Sequence, residues 1–430
     1  MSRIPVVRVE ADVRAAYNRH APHARQGTNI PTSARPIVEA IARLFPNEAA
    51  QRGRALRRSL ALLLLALILP GVADAEEVTV CDDACLAAPA WSCEAELLVW
   101  WLRNGRIPPI LTTGPAGSQG ILDRPGTVVV YGNEKLDVNR HLGGRFTLNG
   151  WLDEAHSFGF QARGFVIERN SRTFELFSDG SLLLARPYFD AAAGAQASQV
   201  IAGPAPGTGD LSGSFYGFTK NELFGEQASI VLSLGTEAMT LNFLAGGYFL
   251  QMRERLEFTS ASKLLPDEAV IFGTTDKSKI YNRFYGGHVG LQGELWRDCW
   301  FLGFQGQCAL GLTTQRVNAF GDNVVATPFS RDWVPVGLLV QPSNSGKRDD
   351  STLDVVYEFN VRAGCQVTSW LRVHIGYTLI YWTNPIRAGD QVDLALDRQQ
   401  GAAGAARPRI PFADDWFWAQ GGSAGIEFVW

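Results

Sequence analysis

The 430-residue sequence has no apolar run long enough to cross a bilayer as a helix, and it holds only six histidines and six cysteines. Its longest apolar stretch, residues 60–69, has about ten residues where a transmembrane helix needs about 20. The histidines at 141, 156, 288 and 374 form no H-x3-H pair and lie in no metalloprotease, P-loop or nucleophile-elbow pattern. These absences disfavour a helical membrane protein, and we predict no catalytic residue, no metal site and no cofactor.

Charge is unevenly distributed along the chain. Residues 1–75 carry 11 Arg, no Lys and 5 acids, whereas residues 76–430 carry 28 basic and 38 acidic residues. An acidic main body without a basic cluster gives no electrostatic footprint for nucleic acid. The overall composition, with 46% hydrophobic and 19% charged residues, argues against disorder. A soluble protein and a β-barrel both remain compatible with it.

Residues 51–75 are typical of a secretory signal peptide. Four arginines at 52, 54, 57 and 58 precede the apolar run 60–69, and the small-residue pattern Ala73-Asp74-Ala75 follows. A buried core helix would explain neither flank. We expect cleavage after Ala75, with Ala73 as the other small residue of the site, and export from the cytoplasm.

The segment before the signal peptide is unusual for an exported protein. Such signals begin near the N-terminus, yet about fifty residues precede this one, and no Met occurs between Met1 and Met239. We therefore expect residues 1–50 to be a mis-called start or a disordered extension, with Val38 and Leu44 as candidate alternative starts. Residues 76–93 are then a periplasmic segment before the barrel.

All six cysteines lie in the exported part, where an oxidising compartment permits disulfides. Cys81, Cys85 and Cys93 cluster in a C-x3-C-x7-C arrangement that matches no zinc spacing well. A structural disulfide among these three is as plausible as its absence. Cys308 and Cys365 occupy apolar positions of predicted strands, where a thiol acts as a small hydrophobic group.

After residue 93 the dominant pattern is alternation with a period of two. Apolar residues at 355, 357, 359 and 361 alternate with polar residues at 354, 358, 360 and 362, and 371–381 repeats the pattern. These runs last about 13 to 18 residues, longer than the five or six of an average soluble strand. The length favours an all-β, antiparallel, up-and-down transmembrane barrel over residues 94–430.

Connection lengths give an independent indication of the same fold. Long and short connections alternate, as expected for long extracellular loops and short periplasmic turns with both chain ends on the periplasmic side. Ten strands are predicted; twelve is the next choice, because 127–131 and 172–184 could add strands. The ten predicted strands are 94–102, 143–152, 157–168, 213–234, 241–258, 279–296, 300–316, 353–367, 370–382 and 415–430.

Aromatic residues near the strand ends suggest a membrane-interface girdle. The candidates are Trp296, Trp300, Trp370 and Trp382. The last strand places Ile426, Phe428 and Trp430 on one face. We expect that terminal pattern to be recognised by the barrel-assembly machinery.

The polar phase of the predicted strands supplies candidate lumen-facing residues. Their mixed charge predicts no clear ion selectivity, and a barrel of ten to twelve strands is narrow enough for such side chains to pair and fill it. The candidates are Glu294, Gln305, Gln307, Asp354, Glu358, Arg362, Arg372 and His374.

From about Trp91 to the C-terminus, the chain resembles a family of outer-membrane β-barrel porins found mainly in planctomycete-type bacteria. Several motifs carry the resemblance: AELLVWW at 95–101, LTTGP at 111–115, RPGT at 124–127, GGRFT at 143–147, LARPYF at 184–189, FYGG at 284–287, QPSN at 341–344, YWTN at 381–384 with RAGDQ at 387–391, and DWFWAQG at 415–421. The resemblance implies an outer-membrane barrel and a porin. It supplies no catalytic or binding residues.

The sequence bears on three classes of function. The leading prediction is a porin-like channel for passive passage of small polar solutes. The alternative is a non-conducting surface barrel, such as an adhesin, a binding protein or a structural protein, that acts through its loops. A barrel enzyme would need a nucleophile or an acidic pair with His288 or His374, and we predict no enzyme. Expected partners are outer-membrane lipid, the assembly machinery and small polar solutes, and the oligomeric state stays open.

Overall fold

The computed structural model describes residues 89–103, 105–133, 140–235, 240–397 and 406–430. The predicted extension 1–50, the signal peptide 51–75 with Ala73 and Ala75, most of the segment 76–93, and Cys81 and Cys85 lie outside the described residues. Cys93, Cys299, Cys308 and Cys365 are free thiols. Within the described ranges, no helix is long and apolar enough to span a bilayer.

Ten antiparallel strands close into a barrel, as predicted. Each strand pairs with its neighbour in the circuit, and the first pairs with the last to complete it. The barrel strands are β1 (Trp91–Leu102), β4 (Arg140–Trp151), β5 (Phe158–Ser178), β8 (Gly209–Ser233), β9 (Thr240–Leu264), β10 (Ile271–Arg297), β11 (Trp300–Ala326), β13 (Gly346–Gln366), β14 (Leu371–Trp382) and β16 (Phe417–Val429).

Several strands continue beyond their predicted extracellular ends. After residue 316 the polarity of the two faces of β11 is exchanged, because Val317 and Ala319 point inward while Asn318 and Asp322 point outward, yet its ladder with β10 runs on to Ala326. The segment 259–278, predicted as a long loop, is therefore largely strand, and the connection between β9 and β10 shrinks to 265–270. That expectation was wrong because backbone pairing continues where the side-chain pattern no longer marks it.

The opposite end of the barrel carries the short turns. β4 and β5 are joined through 152–157, β10 and β11 through 298–299, and β13 and β14 through 367–370. In the first turn the Asp153 carboxylate accepts hydrogen bonds from the backbone N–H groups of Ser157 and Phe158. These bonds and the Ser157 hydroxyl lower the pKa of Asp153.

A second, smaller sheet is built from the long connections. Its strands are β2 (Leu111–Thr113), β3 (Val128–Tyr131), β6 (Leu184–Asp190), β7 (Ala195–Ala205) and β15 (Ala395–Leu396). We call this sheet, with its flanking loops 105–127 and 383–394, the cap. Another short strand, β12 (Arg331–Val334), pairs with the outer end of β11, and single 3₁₀ turns cover Ala116–Ser118 and Gly389–Gln391.

The cap accounts for the two segments that could have raised the strand number to twelve. Residues 128–131 form β3 of the cap, and 172–178 extend β5. Leu111, Leu184 and Ile201 of the cap pack against Phe258 and Ile280, which lie on the inward face near the outer ends of β9 and β10. The cap thus seats its apolar side in the extracellular mouth.

The two faces of the barrel wall differ as the alternation predicted. On β11, Leu302, Leu310 and Leu312 are 47%, 57% and 55% exposed, whereas Gln305 and Gln307 are 6% and 4% exposed. Apolar side chains therefore point outward and polar ones inward. A soluble protein places its side chains the other way round, with apolar ones inside. Apolar side chains on the outside are what a surrounding lipid bilayer requires.

The barrel interior as candidate functional site

Three layers of side chains fill the interior, counted from the end that carries the short turns. We call them the ionic layer, the amide layer and the apolar layer. The ionic layer contains Glu94, Glu96, Arg145, Glu294, Arg362, Arg372, His374 and Glu427; the amide layer contains Gln161, Arg163, Gln227, Gln305, Gln307 and Glu358; the apolar layer contains Leu98, Trp100, Phe165, Leu223, Leu250, Phe284, Ile380, Trp382 and Phe417.

Two arginines in the ionic layer, Arg145 and Arg362, each join side chains from different strands. The Arg362 guanidinium lies 3.1 Å from Glu94 and also bonds Glu294. Arg145 makes a two-pronged contact with Glu96 and donates to the Thr378 hydroxyl at 2.9 Å. Because such forked pairs need both partners in fixed positions, the layer is a rigid network.

Glu94, Glu96 and His374 offer three possible metal ligands whose atoms lie within 4.8 Å of one another. His374 Nε2 is 2.8 Å from Glu94 and 3.5 Å from Glu96. The carboxylates already face Arg362 and Arg145, and a divalent cation would have to share them with two fixed positive charges. The chemistry of the group therefore fits an ion-pair network better than a metal centre.

In the amide layer one ion pair crosses the whole bore. Arg163 on β5 lies 3.1 Å from Glu358 on β13, and these strands stand five steps apart around the circuit of ten. Arg163 also donates to Gln305 at 2.7 Å, and the Tyr248 hydroxyl donates to Glu358 at 2.9 Å. The two side chains therefore meet from opposite walls.

Glutamines complete the amide layer by bonding to each other. Gln307 donates to Gln227 at 2.6 Å, Gln227 to Gln161 at 3.1 Å, and Gln161 to Gln292 at 2.9 Å. Gln305 also donates to Gln161, at 3.2 Å. Long side chains with a donor and an acceptor can reach across a barrel wider than one of eight strands, which ordinary side chains just fill.

The apolar layer lies on the extracellular side of the amide layer. Trp100 and Trp382 are both fully buried, and Phe284 and Phe417 pack with them. The Trp382 Nε1–H donates to the Asp354 carboxylate at 2.6 Å, and the same carboxylate accepts from Thr313 at 2.6 Å. Asp354 thus satisfies the indole N–H of Trp382 within an otherwise apolar layer.

Two buried ion pairs join the barrel to the cap. Arg186 of β6 donates to Asp276 of β10 at 2.6 Å, and Arg387 bonds Glu254 of β9 at 2.7 Å. Each carboxylate also accepts backbone N–H bonds from an extracellular loop, at Leu339 for Asp276 and Ala388 for Glu254. The loops over the mouth are therefore held by the wall beneath them.

The structure places all eight candidate lumen residues on the inward face. Glu294, Arg362, Arg372 and His374 lie in the ionic layer, Gln305, Gln307 and Glu358 in the amide layer, and Asp354 beside Trp382. Their bonding partners, however, leave little open space between them. Whether they line a solute path stays a proposal.

Two of the four girdle candidates were wrong. Trp382 is fully buried in the apolar layer, and Trp296 points inward, with the Arg372 guanidinium 4.8 Å from its ring centre. Both sit in the polar phase of their strands, so the alternation itself would have assigned them to the interior. Trp300 and Trp370 are 63% and 53% exposed on the outer surface near the short turns.

Several interior residues escaped the sequence analysis. Five charged residues were not proposed as lumen-facing, although they lie at the inward positions of their strands. They are Glu94, Glu96, Arg145, Arg163 and Glu427. Glycines occupy both inward and outward positions of β4 and β16 and weaken the alternation there. The signal was present in β1, where Glu94 and Glu96 alternate with Ala95 and Leu97.

A closed antiparallel barrel with an apolar exterior, long strands and a polar interior is a transmembrane β-barrel of the outer-membrane type. A family model described as "Putative beta barrel porin-7" matches residues 91–430. The chain belongs to this family, and it is an outer-membrane protein. The resemblance drawn from the sequence is thereby confirmed.

The solved structures that the chain matches are distant from it in sequence and have low TM-scores. The Escherichia coli outer membrane protease OmpT is 11% identical, with 83% of this chain and 99% of that chain covered and a TM-score of 0.34. A Pseudomonas aeruginosa FadL homologue is 8% identical, with 81% and 93% covered and a TM-score of 0.21. The P. putida toluene transporter TodX is 8% identical, with 81% and 92% covered and a TM-score of 0.18. No curated protein sequence matches the chain.

Proposed function

We propose that the protein is a sealed outer-membrane barrel that acts through its extracellular face. The observation that carries this proposal is the ion pair between Arg163 and Glu358, whose strands lie on opposite sides of the circuit. A contact of 3.1 Å between opposite walls leaves no open bore at that height. The apolar layer lies directly above it and excludes water and ions from the same axis.

A small cavity lies between the ionic layer and the amide layer. The cavity lined by Glu94, Arg163, Gln305 and Arg362 has a volume of about 10 Å³. That volume accommodates about one water molecule and no hydrated solute. The cavity beside these paired charges therefore has no room for a hydrated ion.

The extracellular face is preformed for contact with a partner. Arg186 and Arg387 are only 1% exposed, so their ion pairs with Asp276 and Glu254 hold the loops in one arrangement. The hairpin formed by β11 and β12 projects aromatic side chains, with Phe329 98% exposed and Trp333 55% exposed. Exposed aromatic groups on a held hairpin favour binding or envelope attachment.

A gated porin-like channel for small polar solutes is the second candidate. The family name and the polar lining of the two lower layers favour it. Conduction would require the Arg163 and Glu358 side chains to separate and the apolar layer to open. The residues to displace at that layer are Trp382 and Phe417.

Planar-bilayer recording of the protein purified from outer membranes separates the two candidates. For a sealed barrel we expect no single-channel current from the wild type and steady current from the variant R163A/E358A/W382A/F417A. The control K263A removes a charge at the extracellular tip and should stay silent. Spontaneous wild-type openings whose ion selectivity changes in E358Q would contradict the sealed barrel and establish the gated channel.

We further propose that the barrel is not an enzyme. Ser229 Oγ lies 2.9 Å from His288 Nε2, a contact that could activate a hydroxyl nucleophile. Both side chains are buried within the wall-to-wall packing, where an ester or peptide could not reach them. We expect ester and peptide hydrolysis by the purified protein to be unchanged in H288A, and loss of a hydrolytic activity in that variant would refute this.

A further inference from the structure

The outward surface of the barrel carries a row of three cations on neighbouring strands. Lys220 on β8 is directly opposite Arg255 on β9, and Arg255 is directly opposite Lys279 on β10. Like charges directly opposite each other destabilise a sheet. A negatively charged partner bound at this row would lower the repulsion between the three cations.

The carboxylates nearby are too few to neutralise the row. Glu222 lies 2.8 Å from Lys220 and also pairs with Arg169 and Arg253. Arg255 pairs with Glu257 at 2.6 Å, and Lys277 shares that carboxylate at 2.9 Å. Lys279 is exposed, and no carboxylate pairs with it among the residues that the structure describes.

A cavity of about 190 Å³ lies over this row. Four cations line it against one outward carboxylate, because the other lining carboxylate, Glu254, points inward and is held by Arg387. The Nε atoms of Arg253 and Arg255 are buried without a hydrogen-bond partner. The cavity is lined by Lys220, Glu222, Arg253, Glu254, Arg255, Lys279, Ile280 and Tyr281.

The row lies at the boundary of the apolar band. Towards the short turns, β10 presents Tyr285, Val289 and Leu291 outward at 52%, 53% and 46% exposure. Between Tyr285 and the row its outward residues are Arg283 and Tyr281, and beyond Lys279 the next outward residue is Lys277. An anion bound at the row therefore has acyl-compatible surface on the membrane side and solvent on the other.

We propose that the row Lys220, Arg255 and Lys279, with Arg253, binds the phosphate group of an outer-leaflet lipid. Phosphate suits the site because its oxygens can accept bonds from several cations at once, including the unpartnered guanidinium N–H groups. The apolar surface below the row favours a lipid-borne phosphate over a free one. The bound lipid would hold the β8–β10 wall at a fixed depth in the bilayer.

The test uses protein purified from outer membranes in zwitterionic detergent, with binding followed by native mass spectrometry and by thermal unfolding. The probes are diphosphorylated lipid A, the same lipid with its phosphates removed, and inorganic phosphate. We expect the phosphorylated lipid to bind and raise the unfolding temperature, and the dephosphorylated lipid to do neither. Higher salt should weaken the binding.

The variant K220Q/R255Q/K279Q should bind the phosphorylated lipid roughly 100-fold more weakly, since each cation beside a membrane surface is worth about fivefold. The control K263Q/R331Q/K347Q removes the same charge elsewhere and should bind like the wild type. Should the triple variant fail to fold, K279Q alone should show about a fivefold loss.

Two results would overturn the proposal. Equal binding by K279Q, by the triple variant and by the wild type would show that the row is not the site. Inorganic phosphate that binds as tightly as the lipid and displaces it would assign the row to free phosphate. Neither result depends on whether the bore conducts.

Discussion

At the scale of single residues, the interior is governed by the cost of leaving a buried charge without its partner. Arg163 and Glu358 have side chains only 8% and 4% exposed. Their mutual contact offsets the loss of hydration. When one partner is removed, the other is a buried charge without compensation and destabilises the folded state. The pair therefore contributes more to uniqueness of packing than to net stability.

We expect E358L to lower the free energy of unfolding by about 3–5 kcal/mol, because Arg163 is left buried and unpaired. The double variant R163M/E358L should recover most of that loss. Urea unfolding in lipid vesicles, with R163M completing the double-mutant cycle, measures the coupling. Additive effects of the two single changes would contradict a direct interaction.

A second residue-scale prediction concerns Asp354. D354A removes the acceptor of the Thr313 hydroxyl and the nearer of the two acceptors of the Trp382 Nε1–H, which then has only the Thr313 oxygen at 3.2 Å. A buried donor left without its acceptor costs about 1–3 kcal/mol. D354N keeps an acceptor and should lose less. Tryptophan fluorescence during unfolding reports the difference, and equal losses in D354A and D354N would argue against the hydrogen bonds.

The inward position of a residue could be predicted wherever the sequence shows the alternation of polar and apolar residues clearly. Gln305, Gln307 and Glu358 follow directly from alternation, and so would Trp296 and Trp382 had their phase outweighed their nearness to turns. The pairing of Arg163 with Glu358 could not be predicted, because the two lie far apart in sequence and meet only when the circuit closes.

At the scale of elements, strand identity was predictable and strand length was not. The apolar face of a strand is imposed by lipid, so its sequence pattern ends where the lipid ends, while hydrogen bonding between β10 and β11 continues into solvent. The cap strands were hidden for a related reason. β2 and β15 have only three and two residues, too few for any period.

Apolar packing in the mouth and the pairing of β7 with β8 hold the cap on the wall, and two buried ion pairs add to this attachment. R186M/R387M should remove both buried ion pairs and leave Asp276 and Glu254 unpaired. We expect hydrogen exchange to accelerate in the cap strands β2, β3 and β6 while the barrel strands stay protected. Exchange that rises equally in β13 and β14 would mean that cap and barrel unfold as one unit.

The last strand bears its own prediction. Phe428 stacks on Trp370 with ring centres 5.9 Å apart, and Trp430 is 62% exposed. We expect F428A/W430A to reduce the amount of folded protein in the outer membrane severalfold, since Ile426, Phe428 and Trp430 form the predicted assembly signal. The control W300A removes an exposed aromatic elsewhere and should assemble normally; an equal defect in both would assign the effect to lost lipid contact.

At the scale of the whole molecule, a barrel of ten strands has a wider bore than a barrel of eight, and its side chains have to fill the extra space. It does so with long polar side chains in two layers and large apolar ones in the third. Composition gave no hint of this division, because Gln, Arg and Trp are equally consistent with a wet channel. Only the distances between opposite walls distinguish the two.

A filled barrel should behave as a single cooperative body. The unheated protein should migrate on a gel as a compact species, and boiling should convert it to a slower one. Q161A/Q227A/Q307A, which empties part of the amide layer, should lower the temperature of that conversion. A matched set of outward changes, L302A/L310A/L312A, should affect insertion into lipid more than the conversion temperature.

The seam between β1 and β16 also dictates an order of events in time. Trp91 and Trp430 exchange backbone hydrogen bonds of 3.0 and 3.1 Å. One edge of β1 therefore stays unpaired until β16 has been synthesised and has joined the sheet. Until then the nascent sheet has two open edges, each a template for pairing with other chains. The lifetime of that unclosed intermediate, more than the stability of the finished barrel, should set how much of the chain is lost to aggregation on its way to the membrane.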